Sequence, residues 1–153
     1  MSIVGKTEEF ATSVMNYYLS GGPLPVHTGV YIALLSGIPD GNEPYGSAFL
    51  SAMEVSAGNY RAQVDVSDWG SVSKDTATSA MSMTNSEGTI DFTSAPGDFN
   101  LSGYAICISD TATDGDTYLC YEIFTGDDGD KARAVQANDT IKVNTSNLTL
   151  KER

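Results

Sequence analysis

From residue 28 onward the chain is cut into short runs of β-branched and aromatic residues, each bounded by Gly, Pro, Asn, Asp or Ser. Turn signals at this spacing argue for antiparallel strands joined by turns, not for a parallel α/β sheet. The sharpest instance is the pair 104–109 (Tyr-Ala-Ile-Cys-Ile-Ser) and 118–124 (Tyr-Leu-Cys-Tyr-Glu-Ile-Phe), which flank an Asp-rich stretch containing Asp114-Gly115. Two such runs around Asp-Gly predict an antiparallel hairpin.

Further strands are predicted over 30–35, 60–66, 80–83, 89–92, 132–136, 140–143 and 147–150. Residues 60–66 alternate strictly, which sets Tyr60, Ala62, Val64 and Val66 on one face, and Trp69 just beyond reads as a core plug. Segment 38–56, with Pro39, Gly41, Pro44 and Gly46, reads as a long loop. Roughly seven to nine strands fit a mainly β fold, an Ig-like or jelly-roll-like antiparallel β-sandwich.

The N-terminus is the exception. Ile3, Phe10, Val14, Tyr17 and Tyr18 fall on one helical stripe. Thr7 followed by Glu8 and Glu9 reads as the cap of its main part, with Ser2 as the alternative cap of an earlier turn. Gly21-Gly22-Pro23 ends it, because glycine accepts the left-handed cap and proline cannot continue a helix. The reading is one domain over 1–153: an N-terminal α-helix and its cap over 1–22, then the sandwich over 28–153. A chain of 153 residues buries roughly 68–70% of its unfolded surface, so its core needs neither a disulfide nor a metal.

Charge narrows the partners. Eight Lys and Arg stand against twenty Asp and Glu, a formal net charge of −12. Such a surface repels phosphates on average, and the scattered cations (Lys6, Arg61, Lys74, Lys131, Arg133, Lys142, Lys151, Arg153) form no stripe. Nucleic acid and membrane are therefore not expected partners. No apolar run approaches the ~20 residues of a membrane span. The first ten residues lack a signal-peptide pattern, so synthesis and retention in a cytosol are expected.

Catalytic constellations are sparse. The sole histidine, His27, has no partner that the sequence names, and no nucleophile elbow, phosphate loop or His-Glu-x-x-His is present. The expectation is no enzyme, no catalytic residue, no cofactor and no resident metal. Asp110, Asp114 and Asp116 crowd one predicted turn, and Asp127, Asp128 and Asp130 the next. Both are read as solvated turns, with calcium ligation the alternative, although neither has EF-hand spacing. Cys107 and Cys120 lie on the two hairpin arms nearly opposite each other. A cross-strand disulfide is geometrically open, and two buried thiols are the reading preferred for a cytosolic chain.

Several segments, taken in order, resemble a family of small tailed-bacteriophage virion structural proteins, often labelled phage tail fibre or minor structural proteins. They are Tyr31-Ile-Ala-Leu-Leu-Ser36, Glu54-Val-Ser-Ala-Gly-Asn-Tyr-Arg61, Trp69, Thr84-Asn85, Ile90-Asp-Phe92, Ala95-Pro-Gly-Asp98, Ile108-Ser-Asp110 and Val135-Gln-Ala-Asn-Asp139. The second is one residue shorter than the family's Glu-Val-Ser-Gly-Gly-x-Tyr-x-Arg, and Leu101-Ser102 stands where the family usually has Gly, with Gly103 close by.

The resemblance implies a non-enzymatic protein made in the host cytoplasm and displayed on the exterior of a virion. It would serve as capsid decoration (cement) or as a tail-associated fibre or adaptor. Its partners would be the major capsid protein or tail proteins, and copies of itself, a trimer being the guess. The alternative is a receptor- or glycan-binding module that uses Tyr45, Tyr60, Trp69 or the acidic loops.

Overall fold

The computed structural model describes residues 2–23, 29–37, 45–58, 60–64, 73–74, 81–84, 90–110, 118–124, 133–143 and 149–152. Its strands are β1 (Ser2–Lys6), β2 (Val30–Ser36), β3 (Arg61–Val64), β4 (Ser73–Lys74), β5 (Met81–Thr84), β6 (Ile90–Phe92), β7 (Phe99–Cys107), β8 (Tyr118–Phe124), β9 (Arg133–Val135), β10 (Ile141–Val143) and β11 (Thr149–Glu152). Its helices are α1 (Glu8–Ser20) and α2 (Ser47–Met53), the latter followed by a 3-10 turn at Val55–Gly58. The fold is mainly β. An antiparallel sheet runs in the order β1-β8-β7-β2-β3, with β9 paired to β7 as its sixth strand. β6 and β10 form a two-stranded sheet, and β11-β5-β4 a three-stranded one.

β2 lies inside the large sheet, between β7 and β3. Its run Ile32-Ala-Leu-Leu35 is buried without alternation, as a strand covered on both faces requires. Ile32 and Leu34 join Ile106, Val64, Leu101 and Val135 in one core, together with Ile90 and Phe92 of β6 and Ile141 of β10. The β6–β10 pair thus covers this face. On the opposite face Ala33, Leu35, Ala105, Cys107, Tyr118, Tyr121 and Ile123 meet Tyr45, Leu50 and Met53, so α2 and the residues before it form the second cover. Segment 38–56, expected to be loop throughout, therefore carries a helix. Its apolar spacing at Phe49, Leu50 and Met53 is too short to stand out from turn residues, and burial against the sheet supplies the missing stability.

Two bulges set which side chains face which layer. In the β2–β7 register, Leu35 pairs with Gly103 and Ser36 with Leu101, leaving Ser102 as the extra residue. The bulge turns Leu101 into the first core beside Tyr104 and Ile106. Ser102 Oγ donates to the Leu35 carbonyl at 3.2 Å. In the β7–β8 register, Ile106 pairs with Cys120 and Cys107 with Tyr118, leaving Leu119 extra. Tyr118 and Tyr121 therefore point into the same core. Between these irregularities Gly103 is obligatory, because a Cβ there would lie 2.3 Å from the Glu122 carbonyl oxygen.

The N-terminus departs from the expectation of one helix over 1–22. Ser2–Lys6 is strand β1, paired antiparallel with all of β8 but its first two residues, and the helix begins only at Glu8. Ser2 caps nothing. Ile3 fits the helical stripe by spacing, but pairing with β8 satisfies its backbone instead. Thr7 is the joint between the two elements. It is fully buried, its Oγ1 accepts from Phe10 N–H at 3.2 Å, and the same hydroxyl donates to the Tyr118 carbonyl at 2.6 Å. Its own N–H donates to the Leu119 carbonyl at 3.0 Å, so one residue caps α1 and satisfies the carbonyls that the β8 bulge exposes. Gly21, at φ 67°, closes the helix as expected.

Removing the Thr7 hydroxyl while leaving its volume is expected to cost about 1–2 kcal/mol. Thr7→Val should show this as a lower urea midpoint with unchanged m-value, whereas Thr7→Ser should retain most of the wild-type stability.

Candidate functional site

The strongest concentration of buried polar chemistry among the described residues lies at one end of the large sheet. Glu54 ends α2 and forms an isolated antiparallel bridge with Leu35. Arg61 opens β3, Tyr118 opens β8, and Ser109 follows β7. Arg61 Nε donates to Glu54 Oε1 at 2.6 Å and Nη2 donates to Glu54 Oε2 at 2.8 Å, a two-pronged pair. Nη1 donates to the Ser109 carbonyl at 2.7 Å, and the Tyr118 hydroxyl donates to Glu54 Oε2. The guanidinium carbon stands 5.2 Å from the centre of the Tyr118 ring, within reach of a cation–π contact. The two charged side chains are 1% and 0% exposed.

Burial opposes the charge on Arg61, but hydrogen bonding and attraction from Glu54 outweigh it and hold the guanidinium above its ordinary range. Burial likewise raises the Tyr118 hydroxyl, reinforced by its bond to Glu54, and pushes the Cys107 thiol up to about 12, with Arg61 pulling the other way. Tyr104 is raised by burial and by its hydrogen bond to Glu122, its cross-strand neighbour. These groups are held protonated at neutral pH. The Glu54 carboxylate accepts three hydrogen bonds from the protein itself, and all three Arg61 nitrogens are engaged by protein oxygens. Chemically, the cluster is a joint. It fastens α2, β3, β8 and the end of β7 together.

A second joint links two turns far apart in sequence. Ala95 N–H donates to the Asp139 carbonyl and Asn138 N–H to the Ala95 carbonyl, both at 2.9 Å. Asp98 Oδ1 accepts from Ala137 N–H at 2.9 Å, and Asp139 Oδ2 accepts from Gln136 N–H at 3.0 Å. Ser94 and Asn138 take left-handed conformations, at φ 53° and 69°. The segments Ala95–Asp98 and 135–139, recognised separately in the sequence, are thus one interlocked structure. Likewise Glu54 and Arg61, the two ends of one sequence segment, are ion-pair partners.

The exposed chemistry is of another kind. α1 buries none of its residues fully, and Met15, Tyr17, Tyr18 and Leu19 are 60%, 44%, 76% and 77% exposed. Its root is firmly attached. Besides the Thr7 bonds, Glu9 Oε1 accepts from Ser47 N–H at 2.9 Å, so a carboxylate of α1 caps the first turn of α2.

Other sequence candidates are placed as follows. Tyr45 is 1% exposed and stacks on Phe49 in the second core, its N–H donating to Tyr121 Oη at 3.0 Å. Tyr60 packs on Phe92, with its hydroxyl buried and lacking a hydrogen-bond partner. Tyr45 is thus a core residue and Tyr60 is partly buried at the edge of the first core. Their strand-type and loop settings looked the same for core and rim, and only packing separates the two. Cys107 and Cys120 are both thiols. The Leu119 bulge puts them on opposite faces, Cys107 in the second core and Cys120 against the first, which removes the near-opposite placement the hairpin suggested. Asp110 is exposed. His27, Trp69, Asp114, Asp116, Asp127, Asp128 and Asp130 lie outside the described residues. Among the described residues, no group of three or more His, Cys, Asp or Glu is arranged to hold a metal, and no helix is long and apolar enough to cross a membrane. Comparison with protein-family models finds no match, and neither does comparison with curated proteins.

Truncating one partner of the buried pair strands the other charge. Glu54→Ala or Arg61→Ala should each cost about 3–5 kcal/mol in chemical unfolding. The double apolar variant E54L/R61M should recover much of that loss, giving a large coupling in the double-mutant cycle. Alkaline pH tests the buried hydroxyls and thiol. The Cys107 thiol ionises near 9.0 when unfolded and only near about 12 when folded. Its contribution is complete below pH 9 and lost as pH rises toward 12, because the unfolded chain releases the proton first. Melting curves between pH 8 and about 11 should therefore show falling stability, with a shallower fall in Cys107→Ala relative to its own neutral-pH value.

Proposed function

We propose that this chain is a non-enzymatic structural protein on the exterior of a tailed-phage particle, acting as capsid decoration or as a tail-associated adaptor. The observation that carries this reading is the outward face of α1. An exposed helix surface, uncharged from Phe10 to Ser20 and carrying Met15, Tyr18 and Leu19, is anchored at its root by Thr7 and Glu9 and stands on a strongly acidic chain. Exposed apolar patches of this kind mark contact with other proteins. The buried ionic cluster supports the same reading, since its donors and acceptors are spent on holding elements together. A protein assembled in many copies needs rigid joints of this sort more than a reactive centre.

The segments that carry the resemblance to phage virion proteins support it further. Glu54 to Arg61, Ile108 to Asp110, Ala95–Asp98 and 135–139 all contribute to the two joints, so these segments have a structural purpose in this chain. The packing of the β6–β10 pair over one face of the large sheet supports a sandwich reading. Acidity keeps such a chain soluble before it assembles.

Mass spectrometry and labelled imaging of purified particles test this reading. The expected result is the protein present in stoichiometric copies, either over the head or at the tail. Particles that lack it would overturn the proposal. Substituting Tyr18 and Leu19 by Glu, which leaves the cores untouched, is expected to reduce incorporation at equal expression.

A further inference from the structure

We infer that the outward face of α1 pairs with the same face of a second copy of this chain, as an antiparallel two-fold helix pair crossing at Met15. The helix has two apolar stripes where a surface helix has one. Phe10, Val14 and Tyr17, at i, i+4 and i+7, form the first, and Phe10 and Val14 are half-buried against the protein. Ala11, Met15, Tyr18 and Leu19, at i, i+4, i+7 and i+8, form the second, and all four are exposed. Glu8, exposed in the first turn, lies on this stripe at its N-terminal end, and no charged residue follows on it.

Charge selects the occupant. The sequence holds no Asp, Glu, Lys or Arg between Glu9 and Asp40, so α1 is uncharged from Phe10 to its end. A basic partner would be drawn to the acidic remainder of a chain of net charge −12, not to its neutral face. Two copies of that chain repel each other on most surfaces and meet at least cost where neither carries charge. Shape selects the symmetry. Ala11 and Leu19 lie equally far on either side of Met15. An antiparallel crossing at Met15 therefore sets the small side chain of one helix opposite the large one of the other, twice, as an isologous contact demands. The anchoring of α1 by Thr7 and Glu9 lowers the ordering cost of presenting this face.

A single helix face is far smaller than the roughly 1,200 Å² that stable interfaces bury. Free chains should therefore pair weakly, and an array of copies on a particle would multiply the effect. The inference rests on the reading of α1 as an assembly surface, and it names the partner. Sedimentation equilibrium from micromolar concentration to about 1 mM tests it. The expected result is a monomer–dimer equilibrium that M15E/L19E weakens by about tenfold or more, with thermal unfolding unchanged. Air oxidation of M15C should trap a disulfide dimer, whereas N16C, off the stripe, should not. The cysteine pair carries the test if the doubly charged variant does not fold.

A wild-type chain that stays monomeric, that forms trimers through α1, or whose dimer survives M15E/L19E would overturn the inference. Dimerisation with the protein absent from particles would remove the virion reading alone. A monomer abundant on particles would remove only the pairing.

Discussion

The Glu54 carboxylate is the group on which the far end of the sheet depends. It is fully enclosed, and it is tolerable there because two Arg61 nitrogens and the Tyr118 hydroxyl donate to it. A buried ion pair adds little to stability over an apolar replacement, but it tolerates very few arrangements of its partners. Four chain segments must arrive together to satisfy it: the end of α2, the start of β3, the start of β8 and the carbonyl of Ser109. Its contribution is geometric. It specifies how α2 is seated on the sheet, and so how the second core closes.

The two bulges act at the next level. Without the extra residue at Leu119, Tyr118 and Tyr121 would point to opposite faces, and Tyr118 would not reach Glu54. The carbonyls of Tyr118 and Leu119, freed by that bulge, are the ones Thr7 captures. A chain of dependence therefore runs from the ion pair through Tyr118 and the bulge to Thr7, and from Thr7 to α1. The helix whose outer face suggests assembly is fixed at its root by the same device that orders the core. Glu9, capping α2 from α1, closes this circuit. A surface meant for contact gains from such anchoring, because little ordering entropy remains to be lost on association.

Much of this is legible in the sequence. The boundaries of β8 agree with the sequence reading at both ends, and β2 and β6 agree to within a residue. Their β-branched and aromatic runs are closely bounded by turn residues, so local preference and tertiary pairing agree. Thr7 and Gly21 were readable as caps because capping is a local interaction. β1 was not. Ser-Ile-Val-Gly-Lys is too short to declare a period, and the strand exists only because β8 offers an edge 112 residues away from Thr7 in its bond to Leu119. α2 was missed for a similar reason, since seven residues do not make a helix without the sheet beneath them.

The sequence by itself thus determined the antiparallel β character, the helix that follows Thr7, the acidity, and the uncharged stretch after Glu9. Each of these depends on composition or on contacts between near neighbours. Tertiary structure alone decided that Glu54 and Arg61 are ion-pair partners, that the cysteines face apart, that Tyr45 is core, and that α1 shows its second stripe to solvent. Those outcomes turn on which face a side chain takes. Along a strand, one inserted residue reverses every face beyond it, and a bulge leaves no mark in the local sequence that separates it from an ordinary strand residue.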